Sequence, residues 1–231
     1  NAGTNSNTFT YTPSNNDAVT CNLTSDATCA TGSPATSNTI NMVVNPVLPV
    51  SVTINGVPSG AICAGTSVTF TATPVNGGTN PTYQWYKGST PVSGATNSVY
   101  SSSTLANGDI ITVQITSDET CKSGSPATSN GITMAVNPIL PVSVSIAAVP
   151  SGVICAGTPV TFTATPVNGG ATPTFQWYSG TTAIPGATGS TYTSASLTHN
   201  EVITVQLISG ETCQSGSPAT SNAIHMTVNP S

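Results

Sequence analysis

The chain has 231 residues with two lysines, seven carboxylates and a formal charge of −5, so that 4% of it is charged, where typical soluble domains carry about 25%. Nucleic-acid binding depends on clustered Lys and Arg neutralising phosphates, and attachment to anionic lipid headgroups depends on the same charges, so both are excluded as readings. No apolar run approaches the ~20 residues of a membrane span, and the polar surface has to be built from Ser, Thr, Asn and Gly.

Self-similarity organises everything else. In chain order, residues 1–44 match the second half of a unit, 45–136 form a complete copy, 137–228 form another, and 229–231 open a further one. The two complete copies align without a gap at roughly two-thirds identity, so every loop keeps its length. Gly124-Ser125-Pro126-Ala127-Thr128-Ser129-Asn130 recurs unchanged at 32–38 and 216–222. Copies that are partial at both ends lead us to expect a longer parent protein.

Within a copy the chain alternates apolar and polar residues with period two and shows no helical period, which predicts strands. Each copy begins at Asn45-Pro46-Val47-Leu48-Pro49-Val50 or Asn137-Pro138-Ile139-Leu140-Pro141-Val142. Strands are predicted at 50–54, at Val68-Thr69-Phe70-Thr71-Ala72, at Tyr83-Gln84-Trp85, at 111–115 and at 132–136. Between them lie turn signals such as Asn76-Gly77-Gly78 and Asn107-Gly108-Asp109. Many half-buried strands in about 92 residues describe an antiparallel sandwich.

These residues resemble the immunoglobulin superfamily: 67–72 is similar to its B strand, Trp85 to its buried C-strand tryptophan, and Leu105, Asp109 and Val113 to its E–F corner. The fold is therefore expected to be all-β: tandem immunoglobulin-like antiparallel β-sandwich modules arranged head to tail. The resemblance puts the usual B–F pin disulfide at Ala72 and Val113, and at Ala164 and Val205, so the pin is lacking. Trp85 and Trp177 are then core anchors expected to pack on small apolar residues. In the partial copy Cys21 takes the F-strand pin position and is read as a buried thiol or half of a lost pair.

Ile62-Cys63-Ala64-Gly65-Thr66, Tyr83-Gln84-Trp85 and Thr120-Cys121 also resemble the Ig-like and PKD-like repeats of large secreted surface and adhesin proteins of Bacteroidota. That resemblance implies an extracellular, cell-surface or secreted location and a part in adhesion, motility or filaments, without catalysis.

Cys29, Cys121 and Cys213 keep one phase of the repeat, and Cys63 and Cys155 another, which suggests disulfides. Pairing within modules, Cys63 to Cys121 and Cys155 to Cys213, is one arrangement. On a sandwich of this type those cysteines sit at opposite ends, about 20 Å apart, whereas a disulfide needs Cα atoms within about 7 Å. The other arrangement, which this distance favours, joins Cys63 to Cys213 across the junction of adjacent modules. Pro46, Pro49, Pro138 and Pro141 hold that junction extended and act as stiffeners.

No close acid–base pair accompanies a nucleophile, so the reading is not an enzyme, and no cofactor or metal is expected. Calcium needs clustered carboxylates, and Asp118-Glu119 is the densest pair. His199 and His225 stand where Asn107 and Thr133 stand in the other copy and read as surface substitutions. Tyr86 and Tyr178, beside the tryptophans, are the weak candidates for ligand contact. The expected function is a structural stalk, rod or filament segment of a secreted bacterial surface protein. The alternative is a set of glycan- or protein-binding adhesin modules acting by avidity. Expected partners are neighbouring repeats of the chain, other copies of it in a filament, and surface glycans or proteins.

Overall fold

A computed structural model describes residues 6–230, and all regular structure in them is β. Alternation does the local work. In Val68–Val75 the side chains of Val68, Phe70 and Ala72 are buried and those of Thr69, Thr71 and Thr73 are exposed. In Ile110–Thr116 the residues Ile111, Val113 and Ile115 are wholly buried. β-branched residues suit such a pleated surface with one covered face.

The first complete module stacks two sheets. One has the order Val99–Ser102, Val68–Val75, Ser51–Val57. The other runs Thr90–Pro91, Thr82–Lys87, Ile110–Thr116, the last of which also pairs with Ala127–Thr128 and Ile132–Thr133. After Ser51–Val57 the chain changes sheets, and Ala61–Cys63 lies parallel to Ala135–Asn137. The second module repeats this pairing 92 positions on: Trp85 faces Val113 in one and Trp177 faces Val205 in the other. Each module has its own core, one drawn from Val50 to Val136 and the other from Val142 to Met226. This is the immunoglobulin-like antiparallel sandwich.

Trp85 and Trp177 are fully buried, yet their neighbours are not only small apolar residues as expected. Trp85 meets Phe70 and Tyr100 at ring-centroid distances of 6.1 and 5.7 Å, and Phe70 stacks on Tyr100 at 5.9 Å. The cause is register: Tyr100 sits opposite Phe70 on the neighbouring strand, which brings both rings over the indole. Each indole N–H donates to a backbone carbonyl, Trp85 to Asn97 at 2.8 Å and Trp177 to Gly189 at 2.9 Å. Ala72 and Val113 are buried at the pin positions and need no crosslink.

Residues 6–44 form only the hairpin that corresponds to the end of a module. Ala18–Val19 pairs with Ile40–Asn41, and Asn22–Leu23 with Ala35–Thr36, in the register of the complete copies. No second sheet covers this hairpin among the described residues. Cys21, expected to be buried, is exposed for that reason. Of the further copy predicted at 229–231, Asn229 ends the strand Thr227–Asn229, and Ser231 lies outside the described residues, as do residues 1–5 of the partial copy.

The corner before Ile110–Thr116 shows how little sequence a turn needs. Asn16, Gly108 and Asn200 occupy one repeat position and all have positive φ, at 69°, 85° and 64°. Glycine and asparagine are the residues that tolerate this region. The acidic neighbour then caps the turn: Ala106 N–H donates to Asp109 Oδ2 at 2.8 Å, and Thr198 N–H to Glu201 Oε2 at 2.9 Å.

Candidate functional site at the module junction

Two features bring the junction together. Cys63 ends the strand Ala61–Cys63 and pairs in register with Asn137, the last residue of the strand Ala135–Asn137. The Ala64 N–H donates to the Asn137 carbonyl at 2.9 Å. On the other side, Leu140–Pro141 runs parallel to Gln214–Ser215, and the Leu140 N–H donates to the Cys213 carbonyl at 3.0 Å. Only Pro138 and Ile139 separate the exit residue Asn137 from the entry residue Leu140. The two cysteines are therefore carried to the same place by the strands that flank the crossing. They form a disulfide with Cα atoms 5.4 Å apart and 150 positions of sequence between them.

The junction thus has two covalent connections side by side, one backbone and one disulfide. A shallow cleft between them is lined by Asn137, Pro138, Leu140, Glu211, Thr212 and Cys213. Contact across the junction shows in burial: Cys213 is 7% exposed, whereas its equivalent Cys121 is half-buried. Gln214 is half-buried and its Oε1 atom has no hydrogen-bond partner, while Lys122 at the same position is exposed.

Pro46, Pro49, Pro138 and Pro141 all lie exposed on this crossing or its equivalent. Pro49 and Pro141 are held in place through their carbonyls, which accept from Asn76 Nδ2 at 2.6 Å and Asn168 Nδ2 at 2.7 Å. The remaining cysteines, Cys29, Cys121 and Cys155, are unpaired, as is Cys21. Cys121 nevertheless repeats the backbone setting of Cys213, since its carbonyl accepts from Leu48 N–H at 2.8 Å. Cys155 repeats that of Cys63, with Ala156 N–H donating to the Asn229 carbonyl at 3.0 Å.

Tyr86 and Tyr178 are half-buried on the outer face of their strands, and Tyr178 Oη donates to Gln206 Oε1 at 3.4 Å. Asp118 Oδ2 accepts from the Asn80 N–H at 3.0 Å, and among the described residues no cluster of His, Cys, Asp or Glu could hold a metal ion. His199 does more than decorate the surface: its Nδ1 accepts from the Val228 N–H at 3.4 Å, as Asn107 Oδ1 accepts from Val136 N–H at 3.1 Å. No helix of the described residues is long and apolar enough to cross a membrane.

The role of the invariant Gly-Ser-Pro-Ala-Thr-Ser-Asn segment was not legible beforehand. Ser125 Oγ accepts from Ser117 N–H and Ser129 Oγ from Val113 N–H, each at 3.0 Å. Asn130 reaches the opposite sheet, accepting from the Ile54 N–H at 2.8 Å and donating to the Ile54 carbonyl at 3.2 Å. Asn222 does the same with Ile146. The segment is a polar clasp joining the two sheets. Its exact recurrence in three copies was the one signal that could have drawn attention to it.

Residues 141–230, which cover most of the second complete module, match the family described as Ig-like domain, CHU_C associated. No curated protein sequence matches the chain. Among solved structures it is similar to three N-terminal domains of the highly immunogenic outer capsid protein of bacteriophage RB49. The identity there is 18%, over 79% of this chain and 59% of that one, with a TM-score of 0.32. It is also similar to the full Ig1–Ig3 ectodomain of mouse nectin-like molecule 4, at 14% identity, 84% and 69% coverage and a TM-score of 0.33. A third is the ligand-binding domain of human OSCAR, at 14% identity, 78% and 100% coverage and a TM-score of 0.29. The chain thus spans less than two thirds of the phage protein fragment.

Proposed function

We propose that the chain is a structural segment of an extracellular stalk, rod or filament on a bacterial surface, of the kind built from Ig-like repeats in Bacteroidota. The observation that carries this reading is the Cys63–Cys213 bond lying beside the two-residue crossing Pro138-Ile139. A soft linker lets modules reorient, whereas two covalent connections and strand pairing on both sides of a junction suppress bending. Each module then adds a constant length and rotation, which is how repeat arrays set distance. An oxidising location supports the disulfide, and the low charge leaves the surface almost indifferent to salt. Catalysis, cofactors and nucleic acid have no part in this function.

Small-angle X-ray scattering of the intact chain tests it. A rod predicts one elongated shape whose maximum dimension is unchanged by salt and shortens or broadens when the disulfide is reduced. A distribution of bent shapes under oxidising conditions, together with saturable binding on a glycan array, would favour adhesin modules instead.

A further inference from the structure

Tension along a polypeptide follows the shortest covalent route between the points of attachment. In this chain the route is not the backbone. Cys63 follows the first long strand of the first complete module, Ser51–Val57, and Cys213 lies near the end of the second. We infer that the Cys63–Cys213 bond is the tension-carrying element of the junction, diverting force from the edge strand Ala61–Cys63 directly into the turn before Gln214–Ser215. Residues 64–212 are thereby outside the route.

The excluded segment holds most of what a pulled sandwich would otherwise lose. It contains the buried strands Val68–Val75, Thr82–Lys87 and Ile110–Thr116 of one module, and Ser143–Val149, Val160–Val167, Thr174–Ser179 and Val202–Ile208 of the next. Both tryptophans and most of each core lie inside it, while Val50, Val52, Ile54 and Ile62 of the first core and Ala219 and Met226 of the second stay on the route. In the unstapled case the parallel contacts Ala61–Cys63 with Ala135–Asn137 and Leu140–Pro141 with Gln214–Ser215 are the short patches that resist separation of a module's ends. With the staple closed, failure of those patches releases no length from residues 64–212, and Ser51–Val57 is the long core strand left on the route.

The same register places Cys121 at the Cys213 position and Cys155 at the Cys63 position. Where a module is stapled at both ends, its shortest covalent route is Leu48 to Cys63 or Cys121 to Asn137, about one sixth of a 92-residue copy. The array then behaves as a tether of nearly constant length, while modules lacking the bond are free to lengthen. Use of this tether in a surface stalk rests on the proposed function; the covalent route does not, and the experiment reads the route alone.

The experiment is single-molecule stretching of the intact chain, held through cysteine-free tags at its two ends, with and without dithiothreitol. Without reductant the fully extended length is that of residues 1–63 and 213–231, about 280 Å; with reductant it is that of the whole chain, about 800 Å. The expected loss is about 500 Å, close to threefold. Equal lengths in the two conditions would overturn the inference. So would a loss of about 400 Å, the amount that pairing of Cys63 with Cys121 and Cys155 with Cys213 would hide. Cys63→Ser is expected to reach the long length in both conditions, and should that variant not fold, the comparison on the unaltered chain still decides.

Discussion

Asn130 holds both backbone groups of Ile54, its Oδ1 accepting at 2.8 Å and its Nδ2 donating at 3.2 Å, across 76 positions of sequence. This pair ties the two sheets at the level of the pin positions Ala72 and Val113, since Ile54 lies opposite Ala72 and Val113 N–H donates to Ser129, the neighbour of Asn130. Replacing Asn130 with Ala leaves a partly buried N–H and C=O without partners, which costs about 1–3 kcal/mol. Asn130→Asp retains the acceptor and loses the donor, so it should fall between the two. Urea unfolding at constant m-value measures both, and an unchanged midpoint for Asn130→Ala would remove the clasp from the account.

Trp85 fills the first core with its N–H bound to Asn97 and its ring beside Phe70 and Tyr100. Trp85→Ala is expected to destabilise that module by about 3–5 kcal/mol. Trp85→Phe is milder and leaves the Asn97 carbonyl unpaired. Because the chain has two tryptophans, one per complete module, the fluorescence of Trp177 in the Trp85→Phe chain follows the second module alone. Its transition should stay in place in the Trp85→Ala chain, since the two cores are separate.

The staple closes a loop of 150 positions in the unfolded chain, and the chain-entropy relation assigns such a closure about 5 kcal/mol. Dithiothreitol is therefore expected to lower the melting temperature of the unaltered chain and to leave that of Cys63→Ser, already lowered, where it is. Differential scanning calorimetry measures this. A reductant effect of equal size in Cys63→Ser would assign the stabilisation to some other bond.

Burial raises the pKa of Tyr83 above its ordinary value of 10.0. The fold thus favours the neutral phenol. Its contribution is fully present below the unfolded pKa and is lost as pH rises through the higher folded value, so stability should decline on the alkaline side of pH 10. Phe175 holds this position in the second module. Tyr83→Phe should flatten that decline in the first module, as followed by unfolding midpoints between pH 8 and about 11.

Much of this architecture was legible because it is written in local pattern. Thr69 and Thr71 alternating with Val68, Phe70 and Ala72 define a strand with one covered face, and Trp85 marks the strand that crosses the core. The 92-residue phase of Cys63 and Cys155 against Cys121 and Cys213 pointed to regular crosslinks but left two pairings open. The choice depends on which module ends meet, and that is set by the Asn137–Leu140 crossing rather than by any residue's own preference. Tyr100 above Trp85 was missed because its place follows from strand register with Phe70. Asn130 was missed because its recurrence at Asn38 and Asn222 marks a repeated position without naming the partner, Ile54, 76 positions away. Among the described residues no sheet covers the hairpin that carries Cys21, and its exposure follows from that although the hairpin's own pattern is that of a buried one.

The stapled junction is tested most directly by mass mapping of the chain digested without reduction after its free thiols are alkylated. The account predicts a crosslinked peptide pair containing Cys63 and Cys213, with Cys121 and Cys155 alkylated. Crosslinked pairs joining Cys63 to Cys121 and Cys155 to Cys213 would contradict it.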